Sequence, residues 1–207
     1  MTILALQLRT KSPKINLLQV LLLLLATISI FLLTNYFTAK QIHNINILTI
    51  EKAKNVAEEV FKTGDVGLVA ALPLDAALIK KLQEELSRIL AKDTDYNGCE
   101  VYFLRVQVPG EYPVLAYGNV IIGGIQLNTG EVWKIGQTCN GEDDRYRAKV
   151  YYKGNGIVIS DRELIYTTIM VGTYKECLIL EKILIYTYSI WSGHAHLLKP
   201  PGCKIFR

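Results

Sequence analysis

Compact metal-binding patterns are missing from this 207-residue chain. Its four cysteines, Cys99, Cys139, Cys177 and Cys203, form no Cys-x-x-Cys pair, and its three histidines form no His-Glu-x-x-His element. Those absences exclude a sequence-local zinc site and the helical zinc-hydrolase signature. The four cysteines allow two disulfides in an exported domain, with no pairing deducible from spacing. Charge is missing twice over. No charged residue stands between Lys14 and Lys40, and from Asp93 to Arg207 the 12 Lys and Arg are balanced by 12 Asp and Glu. A uniformly basic, tight nucleic-acid-binding domain is therefore excluded, because phosphate neutralisation supplies most of such affinity. A local groove built from Arg105, Lys134, Arg145, Arg147 and Lys149 is not. No internal repeat or low-complexity tract is present.

The uncharged interval is also the most apolar. Within Leu17 to Leu33 only Gln19, Thr27 and Ser29 are strongly polar. A helix over residues 15–37 would be roughly 35 Å long, enough to cross a hydrocarbon core. A secretory signal would have a shorter apolar run and a small-x-small cleavage site, which Thr34 to Ala39 does not offer. The segment reads as a retained anchor preceded by a basic stretch, residues 1–14. Arg9, Lys11 and Lys14 precede it and Lys40 alone follows closely. The positive-inside tendency then predicts a single-pass protein with a cytosolic N-terminus and residues beyond 40 across the membrane.

Residues 38–92 carry two amphipathic patterns. Ile47, Ile50, Ala53, Ala57, Val60 and Phe61 recur at helical spacing, as do Leu78, Ile79, Leu82, Leu86, Ile89 and Leu90. Gly64, Gly67 and Pro73 separate them, so the spacing predicts a helical hairpin or stalk, with residues 42–91 able to associate as a homo-oligomer. Asp93 to Gly98 is turn-rich and reads as a linker. Beyond it the pattern is α+β. Strands are predicted at 99–108, 132–138 and 163–171, with a β excursion over 112–126, a short helix over 143–152 and a longer helix over 173–188.

The segment Val132-Trp133-Lys134-Ile135-Gly136-Gln137-Thr138, then Arg145, Glu181 and Pro200-Pro201-Gly202-Cys203, is where chemistry concentrates. A strand leads into a turn, an arginine follows on a helix, and a carboxylate lies on a later helix. With Glu100-Val101-Tyr102 ahead of it, this order resembles the GIY-YIG endonuclease family, in its divergent branch carrying Lys-Ile-Gly in the second motif. The resemblance covers roughly residues 99–204. It implies a small three-stranded antiparallel sheet with flanking helices over residues 93–207, following the transmembrane helix and helical hairpin.

The resemblance implies a divalent-metal-dependent endonuclease hydrolysing DNA or RNA. Its catalytic residues would be Tyr102, Lys134, Arg145 and Glu181. Arg145 would clamp phosphate bidentately, with Arg147 as the alternative, and Glu181 would ligate Mg²⁺ or Mn²⁺. Tyr102 and Lys134 would face the scissile phosphate and move protons, given a pKa lowered by nearby cations. Arg147 and Lys149 would add nucleic-acid contacts, weak and salt-sensitive in a neutral domain. Gly136 would let the strand exit close to the substrate. Two departures favour an alternative, a catalytically degenerate fold used as a membrane-tethered binding or assembly module. The first motif lacks its glycine, and Cys203 stands where the family asparagine commonly does. A thiol does not replace an amide's donors and acceptor.

Overall fold

The computed structural model describes residues 17–204, with the side chains of 17–19, 21–23 and 34–48 outside that description. The basic segment 1–14 and the first two residues of the expected anchor lie outside the described residues. The chain divides into two units, residues 1–43 and 44–207. In the first, the backbone is helical from Leu17 onward, as the start of α1 (Leu17–Thr63). Leu24, Leu25 and Ile28 are exposed there, and the consecutive Ile30, Phe31, Leu32 and Leu33 are 54–66% exposed. Helical residues step round by about 100°, so these four present apolar surface on every side. Among the described residues, no helix is long and apolar enough to cross a membrane. Much of segment 15–37 has side chains outside that description.

The second unit is α+β. The end of α1 leads through a short 3₁₀ turn (Val66–Ala71) to α2 (Ala76–Leu90). Asp75 caps α2, its carboxylate accepting from the Leu78 N–H at 2.8 Å. There follow β1 (Cys99–Val106), β2 (Gly110–Leu115), β3 (Ile121–Leu127), β4 (Val132–Thr138) and α3 (Gly141–Arg145). β5 (Val150–Gly154), β6 (Ile157–Ser160), β7 (Leu164–Gly172), α4 (Tyr174–Tyr186) and α5 (Tyr188–Trp191) complete the order. β1 is the middle strand of an antiparallel three-stranded sheet, β4-β1-β7, and two separate ribbons, β2-β3 and β5-β6, accompany it. Cys99 and Cys139, at the adjoining ends of β1 and β4, form a disulfide, whereas Cys177 and Cys203 are free and buried.

The β5-β6 ribbon replaces the short helix expected over 143–152. Helix persists only to Arg145, and Asn155 and Gly156 both take positive φ, 50° and 78°. Two consecutive residues of that kind make the tight turn whose twist matches paired strands. The chain therefore doubles back instead of coiling.

A core lies on each face of the sheet. On one, Val101, Phe103 and Ile135 pack with Ala53, Ala57 and Val60 of α1, Leu82, Leu86 and Ile89 of α2, and the apolar residues of α4. On the other, Tyr102, Leu104 and Trp133 pack with Tyr112, Leu115, Tyr151, Tyr152 and Ile159 of the ribbons. Ala53, Ala57 and Val60 of the first stripe and Leu82, Leu86 and Ile89 of the second are thus buried within the chain. Ile50, Phe61, Leu78, Ile79 and Leu90 are partly buried against the same core, while the Ile47 side chain lies outside the described residues. α4 starts with a capping box: Thr173 Oγ1 accepts from the Glu176 N–H, and Glu176 accepts from the Thr173 N–H at 2.8 Å. It is buried nearly all round, Lys182 included. A helix set between α2 and the sheet has no solvent side to keep polar.

If α2 belongs to this core, Leu86→Ala is expected to cost about 2–5 kcal/mol. Urea unfolding followed by the fluorescence of Trp133 and Trp191, one on each face, would show a single transition shifted to lower denaturant. A separate stalk would leave that transition in place.

Candidate functional site

Paired to β1 on one side, β4 has its other edge covered by segments remote in sequence. Tyr188 Oη donates to the Val132 carbonyl at 2.8 Å, the Gly202 N–H to Trp133 O at 2.7 Å, and the Cys203 thiol to Ile135 O at 3.2 Å. The Glu181 carboxylate lies near enough to the Gln137 backbone N–H to be influenced by it. Gly202 lies flat on the Trp133 indole, where a Cβ would come within 2.7–2.8 Å of ring carbons. These contacts explain why Glu181 on α4 and the Pro-Pro-Gly-Cys turn reach the strand holding Lys134.

Across the pairing with β1, Tyr102 stands opposite Gly136 and Leu104 opposite Lys134. Tyr102 and Lys134 share a face, and the Tyr102 ring lies over Gly136. A Cβ there would meet the phenol oxygen at 2.3 Å. Gly136 is therefore required by Tyr102, rather than by close approach of a substrate. Tyr102 is fully buried, its ring stacked on Tyr166 at 4.4 Å between centroids and edge-on to Tyr146 at 5.9 Å. It presents no surface to a substrate.

Its hydroxyl instead meets that of Tyr146 at 2.6 Å, and the Lys134 ammonium donates to the same Tyr146 oxygen at 2.9 Å. Tyr146, absent from the sequence-derived set, is thus the hub. It follows directly on Arg145, where α3 ends, and Ala148 and Lys149 turn the chain with left-handed φ of 53° and 51°. Arg145 is exposed, and its guanidinium lies close enough to Tyr102 and Tyr146 to act on both phenols electrostatically. Burial raises the Tyr102 pKa, opposed by Lys134. Burial raises that of Tyr146 too, opposed by the Tyr102 hydrogen bond and by Arg145. The lowered phenol pKa anticipated from nearby cations is thus absent: desolvation outweighs them. Of the two hydroxyls, Tyr146 is the one whose anion its neighbours support.

Glu181 is half-buried, and burial raises its pKa despite Lys182, Lys134 and Arg145. The structure therefore gathers Tyr102, Lys134, Arg145 and Glu181 around the edge of β4 and adds Tyr146. Arg147 and Lys149 are exposed on the turn after α3, outside the hydrogen-bonded cluster. Cys203 is buried, its thiol pushed up to about 11 chiefly by burial, so it remains neutral and supports β4. The one sequence signal for Tyr146 is its place beside Arg145, since a side chain next to a clamp on a one-turn helix shares its surroundings.

The resemblance implies a divalent metal on Glu181. Among the described residues, no three His, Cys, Asp or Glu side chains converge. A desolvated single carboxylate fits the mode in which Mg²⁺ takes one or two carboxylates and draws its remaining oxygens from water and phosphate. A separate cleft of about 510 Å³ between the ribbons has Glu111 and Glu163 in its lining and no Lys or Arg, which disfavours phosphate there. Comparison with known proteins found no matching family model, no matching curated protein and no matching solved structure.

Because the Glu181 pKa is raised in the folded state, its ionisation opposes folding above the ordinary carboxylate range. Glu181→Gln is expected to raise the Tm at pH 7 by about 2–4 °C, equivalent to roughly 1 kcal/mol at this chain length. The gain should vanish below about pH 4, where the carboxyl is protonated in both states. A lower Tm at pH 7 would mean that Glu181 stabilises the fold.

Proposed function

We propose that this chain is a membrane-anchored, divalent-metal-dependent endonuclease of GIY-YIG type that hydrolyses nucleic-acid phosphodiester bonds. The observation that carries the reading is the convergence, at one strand edge, of a hydrogen-bonded Tyr102–Tyr146–Lys134 set with Arg145 and Glu181. Cations, a proton-accepting oxygen and a carboxylate are the parts phosphodiester hydrolysis needs.

In this reading Arg145 binds two oxygens of the scissile phosphate through its planar fork. Lys134 holds charge beside it and supports the Tyr146 phenolate. A water attacks phosphorus and gives its proton to the Tyr146 oxygen. The new P–O bond forms as the bond to the leaving sugar oxygen breaks, and that alkoxide is protonated from solvent. Tyr102, wedged over Gly136, keeps Tyr146 in register. When bound at Glu181, Mg²⁺ or Mn²⁺ supplies Lewis-acid stabilisation of charge on the phosphate and leaving oxygens.

Anchoring rests on the uncharged run between Lys14 and Lys40 and on the apolar surface that Ile30 to Leu33 present all round. The Cys99–Cys139 disulfide belongs with an oxidising compartment. Together with Arg9, Lys11 and Lys14 ahead of the anchor, it supports a cytosolic N-terminus with residues 44–207 on the opposite side. The buried Cys203 and the formally neutral domain favour the second reading, a non-cleaving binding or assembly module.

The test is cleavage of single- and double-stranded oligonucleotides by the full-length protein in detergent, with and without Mg²⁺ or Mn²⁺. Expected is metal-dependent cutting, reduced about 10²-fold or more by Arg145→Ala or Glu181→Gln. Since the Tyr146 pKa is raised, the phenolate fraction grows tenfold per pH unit through neutrality. The logarithm of the rate should climb with a slope near one from about pH 7 to 9, and Tyr146→Phe should remove that slope. Oligonucleotide binding without cleavage at any pH or metal concentration would instead establish the module.

A further inference from the structure

The Pro200–Cys203 turn does more than cover β4. Its course is fixed by hydrogen bonds from the Gly202 N–H to Trp133 O at 2.7 Å, from the Cys203 N–H to Pro200 O at 3.0 Å, and from the Cys203 thiol to Ile135 O at 3.2 Å. The Lys199 ammonium adds two more, to Cys203 O and, at 2.8 Å, to Leu115 O. Carbonyls on either side of Lys134 are thus gripped by the residues just before position 204. Lys204 is exposed and follows directly on the two residues that bond the carbonyls flanking Lys134. Burial, then Lys134 and Arg145, lower its pKa, which places its ammonium within their field.

The ion pairs formed among the described residues are Lys62–Glu58, Arg88–Glu85 and His194–Glu131, so Lys134, Arg145 and Lys204 have none. Lys134, Arg145 and Lys204 carry like charge and repel one another, and Glu181 lies close enough to Lys134 and Arg145 to act on both. Such an arrangement is relieved by a polyanion that spans them.

We propose that Lys204 is a third phosphate-binding residue of the site, contacting a phosphate adjacent to the one clamped by Arg145, so that the ligand is a strand with at least two neighbouring phosphates. This rests on the nuclease reading and extends it from a scissile phosphate to a bound strand. Lys204 has no part in proton transfer: it touches the substrate and fixes its register.

The experiment measures binding rather than cutting. Fluorescence anisotropy would follow labelled single- and double-stranded oligonucleotides on the full-length protein in detergent, with EDTA present, across a salt series. Each phosphate contact adds about 0.9 to the slope of log affinity against log salt for duplex and about 0.7 for single strands. Lys204→Gln is expected to reduce the slope by one such increment and weaken binding at low salt. Lys204→Arg should restore both, and Lys80→Gln, exposed on α2, should change neither. An unchanged slope in Lys204→Gln beside a reduced slope in Arg145→Gln would overturn the proposal and leave the nuclease reading standing. If the unmodified protein binds no oligonucleotide, both fall.

Discussion

The outer edge of β4 is the constraint on which this structure depends. An edge strand presents unpaired carbonyls and N–H groups that must be bonded, covered or left to water. Here they are met by α5, through Tyr188 on Val132, and by the Pro200–Cys203 turn on Trp133 and Ile135, while the Glu181 carboxylate lies near Gln137. The partners come from more than forty residues downstream. Satisfying a backbone edge thereby draws together side chains that local structure would never bring near Lys134. A carboxylate beside that edge is already partly desolvated, which is the state in which an additional cation is most favoured.

Behind that edge, Tyr102, Tyr146 and Tyr166 form a packed aromatic set whose hydroxyls are bonded in turn. Tyr102 meets Tyr146 at 2.6 Å, and Tyr166 donates to Glu100 at 2.9 Å. Gly136 is the opening that lets the set close, since any side chain there would enter the Tyr102 ring. Burial makes these phenols rigid and weakly acidic together. On the proposed reading the same packing that aims Tyr146 also limits how often it is ionised. A solvated tyrosine would ionise more readily and point less well.

Much of this was legible in the sequence, for identifiable reasons. β4 stands where the run Val132 to Thr138 put it, and Asp75 and Thr173 mark the starts of α2 and α4, because period, β-branching and capping are local signals. Tyr102, Lys134, Arg145 and Glu181 were found through motif order, which encodes a topology without stating distances. Two things were not legible. A hairpin stands where a short helix was expected over 143–152, because Asn155 and Gly156 take positive φ and turn the chain back on itself. The burial of Lys182 and of the α1 and α2 stripes within one core depends on tertiary packing, which amphipathic periodicity does not specify. The pattern says that a face is apolar; it does not say what covers it.

Formal neutrality from Asp93 to Arg207 conceals a separation of charge. Glu111 and Glu163 stand in the lining of the cleft between the ribbons, which includes no Lys or Arg. Lys134, Arg145 and Lys204 stand at the β4 edge, with Glu181 the carboxylate facing them. A polyanion responds to local potential within about a Debye length, roughly 8–10 Å at physiological salt, and not to a sum over the domain. On the proposed reading, this placement would disfavour a strand's phosphates in the cleft and favour them at the β4 edge even though the domain sums to zero. The balanced composition would then limit how tightly a strand is held, and the placement of the charges where it lies.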